Sequence, residues 1–106
     1  MVVQRSYTVY THDVIVSFRH KGLQLLYEQD DARLVRPDHA TRLKLILGVL
    51  DQAVGPEDLT QLHTLRAHQL TGDLKGHWSV RVNGNWRVTF RFVGTDVELV
   101  DYQDYH

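Results

Sequence analysis

The 106-residue chain has no cysteine, so disulfides and thiolate metal ligands are excluded. No apolar run approaches the roughly 20 residues needed to cross a bilayer, and no membrane partner is expected. Residues 1–13 lack the charged head and apolar middle of a secretory signal, so a cytoplasmic location is expected. There is no HExxH and no paired-histidine spacing, and His63 and His68 lie five apart in a stretch without helical period. Neither a metal nor another cofactor is expected. Proline occurs only at Pro37 and Pro56, and both read as helix punctuation.

The formal net charge is −1, which does not suggest a nucleic-acid partner, but the distribution does. Residues 64–91 hold five basic residues (Arg66, Lys75, Arg81, Arg87, Arg91) and one acid, Asp73. Residues 92–106 hold four acids (Asp96, Glu98, Asp101, Asp104) and no Lys or Arg. A basic surface can exist within such a near-neutral chain.

Along the chain, residues 1–13 read as an extension or loose arm, and residues 14–106 as a single domain. VIVSF, residues 14–18, reads as the first strand. Leu23, Leu26 and Tyr27 mark one side of a helix ending near Asp30. Pro37 predicts a helix start, and Ala40, Leu43, Ile46, Leu47, Leu50, Ala53 and Val54 carry a 3.6-residue period up to the stop at Gly55-Pro56. Residues 57–63 form a linker with room for a helical turn. Residues 64–68 alternate, with Leu65 and Ala67 inward and Arg66 and His68 outward. After turns at Thr71-Gly72-Asp73 and Lys75-Gly76 come a hairpin and a last strand over residues 96–102. Strand, helix, helix, then successive strands describe an α+β domain. Two helices are expected to pack on one face of an antiparallel sheet of four to five strands.

The hairpin, residues 77–92, is HWSVRVNGNWRVTFRF. A three-residue loop, Asn83-Gly84-Asn85, pairs Val82 with Trp86, Arg81 with Arg87, Val80 with Val88, and Trp78 with Phe90. This register gives two clean faces. Trp78, Val80, Val82, Trp86, Val88, Phe90 and Phe92 face a core, while His77, Ser79, Arg81, Arg87, Thr89 and Arg91 face outward. Arg81 opposite Arg87 is a like-charge pair that disfavours the hairpin. Such a pair either splays into solvent or binds an anion such as phosphate.

The outward set of Arg66, His68, Lys75, His77, Arg81, Arg87 and Arg91, joined by Tyr105 and His106, suits RNA cleavage without a metal. A base takes the 2′-hydroxyl proton, an acid protonates the leaving 5′-oxygen, and cations hold the charged phosphate. No acid of the last strand need be close to this surface.

These residues resemble a known family. VIVSFRHKGLQLLYE (residues 14–28), LRAHQLTGDLKGHWSVRVNGNWRVTFRF (65–92) and VDYQDYH (100–106) look like the HigB toxins of the RelE/ParE superfamily. The resemblance implies a RelE-like fold and the toxin of a type II toxin–antitoxin module. It also implies a ribosome-dependent messenger-RNA endoribonuclease. The implied partners are a HigA-like helix-turn-helix antitoxin and the ribosome with its messenger; operator DNA would be met only through the antitoxin. Carried over by position, His68, Arg87, Asp104, Tyr105 and His106 would be catalytic. Arg66, Lys75, His77, Arg81 and Arg91 would form the RNA-binding surface. Thr71 and Gln69 depart from the family's LHPLKGD segment, which has lysine and proline there. Lys75 would then supply the missing charge, or the toxin would be weakened and act mainly in autoregulation. A ParE-like gyrase inhibitor of the same fold is the other alternative.

Overall fold

The computed structural model describes residues 14–105. The arm over residues 1–13 and the terminal His106 lie outside the described residues. The sheet has four antiparallel strands in sequential order, β1 (His68–Gln69), β2 (His77–Asn83), β3 (Trp86–Val93) and β4 (Asp96–Asp104). Helices α1 (Lys21–Gln29) and α2 (Ala40–Gln52) cover one face, with a short α3 (Glu57–Thr60) after them. This is the α+β arrangement expected from the pattern.

Helix α1 begins at His20, whose Nδ1 accepts hydrogen bonds from the backbone N–H of Gly22 (3.0 Å) and Leu23 (3.3 Å). It ends at Asp30 in the left-handed region, φ 53°, where the Asp30 N–H donates to the Leu26 carbonyl. Gly22 is required by packing, since a Cβ there would sit 2.6 Å from the Leu34 carbonyl oxygen. Pro37 opens a single 3-10 turn that leads into α2. Helix α2 stops at Gln52, two residues short of the apolar pattern, because Ala53 is already extended, with ψ 140°.

The hairpin register holds from His77↔Arg91 through Arg81↔Arg87. The turn differs from expectation. Asn83, not Val82, pairs with Trp86, so a two-residue loop, Gly84-Asn85, is combined with a bulge at Val82. A bulge absorbs the odd residue and restores the two-residue loop. Val80, Val88 and Phe90 are fully buried, together with Leu23, Leu43, Ile46, Leu50, Val97 and Val100. Removing a ring such as that of Phe90 from this core would cost about 3–5 kcal/mol.

Two other segments depart from the sequence reading. Residues 14–18 do not form a regular strand but touch β4 through two parallel bridges, Ile15↔Val97 and Phe18↔Val100. A bulge at Leu99, φ 57°, turns its N–H to the Ser17 hydroxyl (2.9 Å), which interrupts the ladder. Residues 63–65 form a 3-10 turn capped by left-handed Arg66, φ 49°, and only His68 and Gln69 join the sheet. Leu65 is nevertheless buried, and Arg66 and His68 are exposed.

Candidate active site

Side-chain alternation puts the basic hairpin residues on the face away from the helices. Across the strands the ladder runs His68↔Ser79↔Thr89↔Asp101 in one row and Arg81↔Arg87↔Gln103 in the next. Tyr105 falls one step beyond Gln103 on the same alternation. Its N–H donates to the Asn85 carbonyl at 2.8 Å, which pins the end of the chain against the hairpin turn. Arg81 and Arg87 lie between His68 and Tyr105 in this order.

The Arg87 guanidinium is fixed by Nη1, which donates to the carbonyls of Gly84 (2.8 Å) and Trp86 (3.0 Å). Among the described residues, no carboxylate forms a salt bridge with Arg81 or Arg87. The centre of this face is polar and closed to solvent. Ser79 and Thr89 are buried, and Thr89 Oγ1 accepts from Gln103 Nε2 at 3.2 Å. Gln103 Nε2 also donates to Asp101 Oδ2 (2.9 Å).

The remaining candidates divide. Lys75 is exposed and lines a surface cavity with Gln69, Leu70 and Thr71, so its ammonium shares a space with the position where the family motif has lysine. Arg66 is exposed on the approach to His68. Arg91 is bonded to Glu98 directly opposite it. No acid of the last strand need be close to the basic surface, but two are: Glu98 pairs into the Arg91 row and Asp101 into the His68 row. His77 lies opposite Arg91, but its two ring nitrogens are closed to solvent and have no hydrogen-bond partner among the described residues. Asp104 pairs with Trp86, which places it on the helix side, away from Tyr105. Asp104 and Tyr105 are thus split between faces, because consecutive strand residues alternate.

Sequence reasoning missed what holds this face in place. Arg42 of α2 donates to the Thr64 carbonyl (2.6 Å) and twice to the Arg81 carbonyl (3.0 and 3.3 Å). It ties the helix to the strand carrying Arg81 and to the segment leading to His68. On the helix side, Arg36 lies 5.8 Å above the Trp86 ring. Asp38 bonds this guanidinium and raises its pKa, Asp104 adds to that rise, and Arg36 in turn lowers the Asp38 carboxyl. Burial pushes the Tyr102 phenol up. Among the described residues, no group of three or more His, Asp or Glu side chains could hold a metal ion.

A profile of the family described as "RelE-like toxin of type II toxin-antitoxin system HigB" matches residues 16–106. The chain belongs to this family. It is 38% identical over 93 residues to the Endoribonuclease HigB of Proteus vulgaris, covering 88% of this chain and 100% of that protein. It is 36% identical over 92 residues to Toxin HigB-1 of Vibrio cholerae, covering 86% of this chain and 96% of that one. As a HigB-family toxin, the chain has a cognate antitoxin implied by its type II class.

Proposed function

We propose that this HigB-family toxin is an endoribonuclease that cleaves messenger RNA on the ribosome, using the RNA's own 2′-hydroxyl as nucleophile. The observation that carries the reading is Arg81 beside Arg87, held on a rigid ladder without a carboxylate partner among the described residues. Uncompensated guanidiniums at that spacing suit a phosphate that gains charge in the transition state. In the reaction the 2′-oxygen bonds to phosphorus as its proton leaves to a base. The bond from phosphorus to the 5′-oxygen breaks, and an acid protonates that oxygen. The products are a 2′,3′-cyclic phosphate and a 5′-hydroxyl. In-line displacement needs base and acid on opposite sides of phosphorus. His68 and Tyr105, on either side of the arginine pair in the ladder, fit this requirement, and His106 is carried as a further candidate acid or base by the family resemblance alone. No metal ion takes part in the chemical step. Arg66 and Lys75 extend the cationic surface toward flanking phosphates, whereas Arg91, paired with Glu98, and His77, with its ring nitrogens closed to solvent, take no direct part in this reading. Asp104 lies on the opposite face, paired with Trp86, and in this reading does not touch the phosphate.

The test is purified toxin added to ribosomes carrying a defined messenger. The expected products end in 5′-hydroxyl and cyclic phosphate, and a 2′-deoxy sugar at the cut nucleotide should abolish cleavage. Cutting that persists through the deoxy substitution would disprove the mechanism. An intact messenger in cells, with a rising DNA-damage response, would transfer the chain to the gyrase-poison alternative.

A further inference from the structure

Beneath the C-terminal end of β4 lies a buried polar contact that the proposed chemistry does not use. His39 and Tyr102 are almost fully buried, and His39 Nδ1 and the Tyr102 hydroxyl share a hydrogen bond of 2.6 Å. The Tyr102 ring stacks on Trp86 at 4.7 Å, and His39 meets both rings edge-on.

The location gives this contact a role. Residues 14–20 support the outer edge of β4 only as far as Val100, through the Ile15 and Phe18 bridges and the N–H groups of Arg19 and His20 donating to the Val100 carbonyl. Beyond Val100 that edge has no backbone partner among the described residues. Among the described residues, β3 holds the strand end on one side and Tyr102 packs beneath it. Tyr102 is also the last buried side chain of β4, with Gln103 and Tyr105 following on the opposite face. Strand ends near a chain terminus fray readily unless side chains anchor them.

We propose that His39 and Tyr102 form a strut that positions the C-terminal tail, and so sets Tyr105 against the Arg81–Arg87 pair. The catalytic part of this claim rests on the nuclease reading above; the positional part does not. Both are positioning residues, because neither lies on the face where RNA would bind.

Four variants separate positioning from stability. Tyr102→Phe removes the hydroxyl and leaves the imidazole unpaired; His39→Leu does the reverse. The double variant removes both partners, which relieves the buried unpaired group. His39→Asn keeps a polar atom near the position of Nδ1. Amide hydrogen exchange reads the strut directly. In Tyr102→Phe and in the double variant, the Tyr105 N–H should exchange about 10-fold faster or more, while those of Val88 and Phe90 stay protected. Cleavage on programmed ribosomes should show kcat down about 10-fold or more in both, with KM within about twofold, and rescue in His39→Asn. These fold-changes correspond to about 1.4 kcal/mol. The double variant should regain thermal stability without regaining kcat. Unchanged Tyr105 exchange in Tyr102→Phe, or kcat returning together with stability in the double variant, would overturn the strut. A wild-type chain that cuts no RNA would sink only the nuclease reading, since the exchange measurement stands by itself.

Discussion

Arg81 and Arg87 face each other directly across the β2–β3 ladder, and neither has a salt bridge to a carboxylate among the described residues. A like-charge cross-strand pair destabilises a hairpin by a few tenths to about 1 kcal/mol, so this arrangement works against the fold. Arg81→Gln should leave the protein equally stable or slightly more stable in urea, yet lower cleavage about 100-fold. That loss is typical of removing one preorganised charge from a transition state. Arg87→Ala should lower cleavage by a similar factor, but it also gives up two hydrogen bonds to the turn and should cost about 1 kcal/mol. Unaltered cleavage in both variants would remove the electrostatic role.

Lys75 and Thr71 line the same surface cavity. If the ammonium of Lys75 serves where the family motif has lysine, Lys75→Ala should lower cleavage about 10-fold. Thr71→Lys should restore it in that background while changing little in the wild type. A charge that meets phosphate as a point cation can be moved along a loop, because its geometry is undemanding. If Thr71→Lys alone raises a near-silent toxin to strong activity, the weakened-toxin alternative holds instead.

The hairpin face was legible in the sequence because strand period and turn chemistry both constrain register. Val80, Val88 and Phe90 occupy the buried row that alternation assigns them. The bulge at Val82 was not legible, since a three-residue loop and a bulge with a two-residue loop leave the same pairs beyond Arg81. The short β1 was obscured because Leu65, Ala67 and their neighbours alternate like a strand while the backbone takes a 3-10 turn and a left-handed residue. Among the candidate residues, His68 and Tyr105 lie on the face that carries Arg81 and Arg87. Asp104 lies on the other face, because a motif lists residues in order and a strand distributes them over two faces. Arg42 and His39 carry no local signal. A charged residue on an amphipathic helix and a histidine beside a proline turn look ordinary until the tertiary contacts are known.

Arg42 joins α2 to the carbonyls of Thr64 and Arg81. These are charge-assisted bonds, and Arg42→Ala should cost about 1.5–3 kcal/mol. Arg42→Lys should recover only part, since a single ammonium cannot span both carbonyls in the planar fork geometry. Urea unfolding checks the stability. The cleavage rate, measured well below the melting temperature, should fall less than in Arg81→Gln, since Arg42 holds the strand but does not meet RNA. A loss of cleavage equal to that of Arg81→Gln, with full stability, would place Arg42 in the binding surface instead.

His20 caps α1 as an acceptor, so its Nδ1 must be unprotonated to receive the Gly22 and Leu23 amides. Burial pushes the His20 imidazole below its ordinary value, with Asp101 partly opposing the shift. The folded state therefore binds this proton less readily than the unfolded chain, and the sign follows from linkage. The cap's contribution is complete above the unfolded value of 6.5. It is lost progressively as pH falls from there through the lower folded value. Stability measured by urea unfolding across the mildly acidic range should thus rise with pH. His20→Asn, which can cap a helix without titrating in this range, should flatten that slope while retaining stability at neutral pH. His20→Ala should flatten it too, but with about 1 kcal/mol lost at neutral pH. The decisive quantity is the difference in slope between wild type and His20→Asn. An identical slope in the two proteins would show that the cap does not respond to acid.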